Sequence, residues 1–137
     1  MNIILRKDQQ EALDFFEKTR YLILEGGRRS GKTTVLQEIC IRNYLKRIGI
    51  CCPEFLFYER YRSFGKYIRP QKNLESDSFK DLQGMHYDVI IADEINLELD
   101  PELFRSLNEA CSYFACAYTP NKTPYQILKL DGGSNEP

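Results

Sequence analysis

The stretch EGGRRSGKTT, residues 25–34, constrains this chain more than any other. It sits directly behind Tyr21-Leu22-Ile23-Leu24, four apolar residues in a row, which suit a short strand covered on both faces. After it, Val35, Leu36, Ile39, Cys40, Tyr44 and Ile48 recur at helical spacing, and Gly49 stands where that helix should stop. Gly26-x-x-x-x-Gly31-Lys32-Thr33 between a strand and a helix has the spacing and the context of a phosphate-binding loop. Glycines let backbone N–H groups turn inward around an anion, and the following helix points its positive end at the same place. Lys32, expected at an exposed loop end, reaches the β- and γ-phosphates, and the Thr33 hydroxyl ligates Mg²⁺. Gly26, Gly27, Ser30 and Gly31 then line the phosphates with Thr33. Thr34, Glu25 and Asp88 lack a comparable chemical reason and read as caps or solvated ends; Thr34 stays among the nucleotide-contacting positions because it adjoins Thr33.

A magnesium-nucleotide site needs a second carboxylate-bearing strand, and DVIIADE (88–94) supplies one. The apolar run carries Asp93 to the carboxyl end of a sheet, where such ligands bind. Asp93 is the expected Mg²⁺ carboxylate, direct or through water, and Glu94 the general base that polarises a water against the γ-phosphate. ATP and Mg²⁺ are the ligands this pairing calls for.

The remaining elements alternate. Asp8 and Glu11 have capping-box spacing ahead of Ala12, Leu13, Phe15 and Phe16 on one helical face. FLFY (55–58) behind Pro53 reads as a second buried strand, DVIIA (88–92) as a third and YFACAY (113–118) as a fourth. Asp100 and Pro101 open a helix with Leu103, Phe104, Leu107 and Ala110 on its apolar side, and Thr123 with Gln126 opens a last one. Strands separated by helices predict an α/β fold: a three-layer P-loop NTPase core, minimal in size, whose mainly parallel sheet has about four to five strands. Residues 1–130 form that one domain, and 131–137 a flexible polar tail.

Composition narrows the setting. With 137 residues, 42% hydrophobic and 28% charged, the chain has the make-up of one ordinary globular domain. No apolar run approaches the ~20 residues that span a bilayer, and the start is too soon acidic for a signal peptide. Five cysteines (Cys40, Cys51, Cys52, Cys111, Cys116), none in a Cys-x-x-Cys, and a single histidine, His86, supply neither a disulfide framework nor a zinc site. A reducing, cytoplasmic setting is expected, the host's cytoplasm if the source is viral. A net charge of −1 leaves no global nucleic-acid footprint, so such binding must come from a local patch.

LILEGGRRSGKT, VIIADEI and FACAYTPNKTPYQILKL together resemble the ATPase core of viral terminase large subunits, the DNA-packaging motors, which is related to helicase-type P-loop ATPases. The resemblance covers roughly residues 5 to 130. It implies that Thr119, Pro120 and Asn121 form the coupling motif that senses the γ-phosphate. It implies that an upstream glutamine reads adenine, and Gln9 corresponds to it, with Gln10 as the alternative. It also implies an extra arginine near the phosphates, which fits Arg28 or Arg29; Arg29 is taken as the catalytic one and Arg28 as a phosphate contact. No stretch corresponds to the nuclease domain that follows the ATPase in that family, and the sheet is expected to end at the coupling strand.

FYERYRSFGKYIRPQK (57–72) is the candidate patch. Arg60, Arg62, Lys66, Arg69 and Lys72 alternate with Tyr58, Tyr61, Phe64 and Tyr67, a pattern that tracks phosphates and stacks bases. The same stretch also suits a solvated loop whose tyrosines pack on the core, or an arginine finger for a neighbouring subunit. The sequence thus predicts an ATP-binding, ATP-hydrolysing domain acting on DNA or within a nucleic-acid machine, as a homo-oligomer or with a larger protein partner. A nucleotide-dependent regulator with little hydrolysis is the alternative, and a small-molecule kinase with residues 60–72 as its lid the third.

Overall fold

The computed structural model describes residues 4–26, 31–70, 86–95 and 101–118, and the backbone of 128–129. In chain order the elements are α1 (Lys7–Thr19), β1 (Tyr21–Glu25), α2 (Lys32–Arg42), β2 (Ile48–Cys51), α3 (Glu54–Leu56), β3 (Lys66–Ile68), β4 (Tyr87–Asp93), α4 (Pro101–Glu109), β5 (Cys111–Tyr118) and β6 (Leu128–Lys129). A π-helical turn, Phe57–Tyr61, continues directly from α3. The described strands form one sheet in the order β3-β2-β4-β5-β1-β6, every pair parallel. Five of them have three residues or more and β6 has two.

Strand alternation sorts the core into two halves. Leu22 and Leu24 of β1, Val89 and Ile91 of β4, and Ala115 and Ala117 of β5 face Leu13 and Phe16 of α1 and Val35, Leu36 and Ile39 of α2. Ile90 and Ala92 of β4 and Phe114 and Cys116 of β5 face Leu103 and Leu107 of α4 on the other side. The result is the expected three-layer α/β architecture, with both faces of a parallel sheet covered. The same alternation turns Asp93, two residues beyond Ile91, toward the α2 side. It is fully buried there.

Several local expectations change. FLFY is not a strand: Glu54–Leu56 is helical and Phe57–Tyr61 is the π turn. An apolar run of four fits a buried helical segment as well as a strand, and the place next to β4 is already filled by Ile48–Cys51. The helix behind the loop ends at Arg42, not Gly49, because Asn43 caps it: its Nδ2 donates to the Ile39 carbonyl at 2.7 Å. Tyr44 is consequently exposed and Ile48 lies in β2. Gly49 serves close packing in that strand, since a Cβ there would stand 2.6 Å from Ile68 Cδ1 and 3.1 Å from the Tyr87 ring. In α1 the N-cap is Arg6 rather than Asp8, with Gln9 Oε1 accepting from the Arg6 N–H at 2.9 Å. The sheet continues past the coupling strand, for β6 pairs with β1 at Leu24 and Glu25. The helix expected from Thr123 and the tail 131–137 lie outside the described residues, as does Asp100.

Candidate active site

The sheet order builds the site. β5 lies between β1 and β4, so the loop after β1 and the end of β4 flank its carboxyl end. α2 packs over β5, where Ala115 and Ala117 leave room for a close approach. Thr33 in the first turn of α2 thereby reaches Asp93 at the end of β4, donating from Oγ1 to Oδ2 at 2.8 Å. Gly31 holds φ 92°, the left-handed region, and a Cβ there would run into Gln9 Nε2. The positive φ is what calls for glycine at this position.

Lys32 is 5% exposed and donates from Nζ to the Gly26 carbonyl at 2.6 Å. The expected exposed lysine is therefore a buried one, its amine turned back to Gly26. Gln9 is equally buried and donates to the Gly31 carbonyl at 3.2 Å, whereas Gln10 turns away and donates to Asp14 at 3.1 Å. Of the two glutamines, Gln9 is the one beside the loop. Glu94 follows Asp93 with φ 57°, an uncommon conformation for a residue with a Cβ, and its N–H donates to the Ala117 carbonyl at 2.9 Å. This bend at the end of β4 sends the two adjacent carboxylates to different places: Asp93 inward, Glu94 exposed on a cleft.

The cleft holds about 550 Å³. Gln9, Gly31, Lys32, Thr33, Thr34 and Glu94 line one part, and Phe55, Glu59 and Arg60 from α3 and the π turn form the opposite rim. Arg6, Gln37 and Glu59 were not singled out by sequence, and no local motif marks them; Arg60 was named only as part of the basic stretch, and the packing of the turn against α2 brings it and Glu59 to this cleft. The fixed point of that packing is the Gln37 Nε2 to Arg60 carbonyl bond, 3.0 Å.

Asp93 is the electrostatic centre. Its Oδ2 accepts from Thr33 and from the Tyr61 hydroxyl, the latter at 2.5 Å, while its equally buried Oδ1 has no hydrogen-bond partner. Burial pushes its pKa up, and the bonds from Tyr61 and Thr33 and the charge of Lys32 offset this only in part. A buried carboxylate oxygen without a donor, next to a hydroxyl, fits a hard divalent cation such as Mg²⁺. Among the described residues no group of three His, Cys, Asp or Glu could hold a metal alone. Cys40 and Cys52, buried nearby, have thiols pushed up to about 12 by burial and are inert core groups.

In the basic, aromatic stretch Arg60, Arg62, Lys66 and Arg69 are exposed, as is Tyr58, while Tyr61 is fully buried and Phe64 and Tyr67 pack against the core. Gly27, Arg28, Arg29, Ser30, Lys72, Thr119, Pro120 and Asn121 lie outside the described residues. Among the described residues no helix is long and apolar enough to cross a membrane.

No protein-family model matches the chain, and no curated protein does. Solved structures do. Domain III of the Thermotoga maritima replication initiation protein DnaA superposes with a TM-score of 0.59 at 15% identity, over 96% of this chain and 66% of that one. The Pif1 helicase of Candida albicans gives 0.57 at 19% identity, over 85% of this chain and 33% of the helicase. A Bacteroides Pif1 in complex with ADP-AlF3 and ssDNA gives 0.56 at 15% identity, over 99% and 44%. The chain thus spans a third to less than half of these helicases' length. What these likenesses show is the fold: a parallel α/β core shared with helicases and with a replication initiator.

Proposed function

We propose that this chain is a Mg²⁺-dependent ATPase domain of the helicase type that works on nucleic acid. The observation that carries the reading is the convergence of Lys32, Thr33, Asp93 and Glu94 at the carboxyl end of a parallel sheet, around one cleft. Lys32 and the N-terminus of α2 hold the phosphates, Gly31 lets the backbone approach them, and Gln9, against the loop, faces the base. Thr33 Oγ1 and Asp93 Oδ1 hold Mg²⁺, which when bound neutralises charge on the phosphates. Glu94, exposed on the cleft beside them, accepts the proton of the attacking water. Arg28, Arg29 and Thr119 keep the roles the motifs give them: phosphate contact, catalytic arginine and γ-phosphate sensor.

Support for nucleic acid as the partner comes from the exposed Arg60, Arg62 and Arg69 beside Tyr58, and from the fold's occurrence in helicases, one of them bound to ADP-AlF3 and ssDNA. Assembly into a homo-oligomer or with a larger partner belongs to the same reading; one structural relative unwinds forked DNA as two coordinating helicases. The terminase-like, DNA-packaging version rests on the sequence motifs alone.

The test is steady-state ATP turnover with and without single-stranded DNA, on wild type and Glu94→Gln. The reading expects turnover that DNA stimulates and a variant that binds Mg-ATP but turns it over at least ~100-fold more slowly. Binding without turnover in the wild type would favour the regulator instead, and a Glu94→Gln variant as fast as wild type would remove Glu94 as the base.

A further inference from the structure

Tyr61 is a buried polar side chain at the site for which the motifs provide no role. Its hydroxyl donates to Asp93 Oδ2, the oxygen that also accepts from Thr33, so one carboxylate oxygen carries two donors and the other, equally buried, carries none. Such a carboxylate cannot rotate without breaking both bonds, and it presents one bare acceptor in one direction. Tyr61 itself is held firmly. It ends the π turn, whose wider i→i+5 turns are rare and recur at functional sites. Gln37 ties the preceding carbonyl to α2, and Phe57 at the start of the turn stacks on Tyr67 with ring centroids 4.8 Å apart. The ring packs in the core, where phenylalanine would fill nearly the same space, so what tyrosine adds is the hydroxyl.

We propose that Tyr61 is a positioning residue for the cation site: its hydroxyl clamps Oδ2 of Asp93 so that Oδ1 is presented to Mg²⁺. The proposal rests on the Mg-nucleotide reading above. Thr33 alone supplies a single donor to the carboxylate, and Tyr61 supplies the second, from the other element packed against it. Without the Tyr61 donor, one of the two bonds that fix the carboxylate about its terminal torsion is gone. Outer-shell partners of this kind typically contribute 10- to 100-fold in metal affinity.

The experiment is calorimetric titration of ADP into wild type and Tyr61→Phe, in saturating Mg²⁺ and again in excess chelator. Wild type should bind ADP more tightly with Mg²⁺. Tyr61→Phe should match wild type in chelator, which also reports an intact fold, and lose about 10-fold or more of the Mg²⁺ enhancement. A purely structural tyrosine would lower both affinities together or neither, and an enhancement equal to wild type overturns the proposal. Should the variant not fold, Gln37→Ala loosens the turn while keeping the hydroxyl; undiminished enhancement there overturns it equally. A wild type that binds ADP with no Mg²⁺ enhancement defeats the cation-site reading itself, and a wild type that binds no ADP defeats the nucleotide reading.

Discussion

Thr33 and Asp93, 60 residues apart in sequence, meet at 2.8 Å because one strand, β5, separates the strands that deliver them. The contact joins the phosphate loop to the carboxylate strand, and it does so by burying a negative charge. The pKa of Asp93 is raised, so in this balance desolvation outweighs the hydrogen bonds from Tyr61, Thr33 and the Glu94 backbone and the nearby Lys32 charge. The native state then holds the proton at a pH where the unfolded chain has released it. Stability from this group is full below the ordinary carboxylate range and is lost as pH rises through the raised value. Asp93→Asn removes that cost while keeping an acceptor for Thr33 and Tyr61. Its melting temperature at pH 7, without metal, should exceed that of wild type by ~3–6 °C for each kcal/mol relieved. The gap should close toward pH 4 and the Mg²⁺ enhancement of nucleotide binding should vanish. Thermal melts at the two pH values check this; a less stable variant at pH 7 would contradict it.

Lys32→Ala should weaken nucleotide binding by about 1.5–3 kcal/mol, roughly 10- to 150-fold, as charge-assisted phosphate contacts do. Because Lys32 is buried and donates to the Gly26 carbonyl, the variant should also lose some stability, which an exposed loop lysine would not. Titration beside a thermal melt separates the two effects. Unchanged affinity would end the phosphate-loop assignment.

The basic residues of the π turn and the segment after it make a separate prediction. Replacing Arg60, Arg62 and Arg69 with alanine should weaken single-stranded DNA binding and flatten its salt dependence by roughly two units of slope, at about 0.7 per phosphate contact. ATP affinity without DNA should hold. If DNA binding survives and turnover falls only at concentrations that permit assembly, an arginine acts in a neighbouring site instead. If neither changes, the stretch is solvated surface.

The strand Tyr21–Glu25 and the meeting of Thr33 with Asp93 were legible because phosphate and metal chemistry, which the motifs suggested, dictates particular residues at short, fixed spacings. The three-layer fold followed from strands alternating with helices. Tyr61 was not legible, for a physical reason. Its partner is set by which strand lies beside β4, and a tyrosine among arginines looks the same whether it stacks a base or buries its ring. The run FLFY misled in the same way, since four apolar residues carry no period, and the strand lay instead in IGIC, around a glycine whose missing side chain admits Ile68 and Tyr87. Lys32 was misplaced because the sequence does not show that its amine turns back to the Gly26 carbonyl, a contact made only once α2 packs on the sheet.

The measurement that bears most directly on the whole account is calorimetric titration of Mg-ATP into the Glu94→Gln protein, where bound nucleotide should not be consumed. A single saturable site per chain, lost on adding Lys32→Ala and weakened by chelating Mg²⁺, is the predicted result. No saturable binding, or binding indifferent to both Lys32 and Mg²⁺, would contradict it.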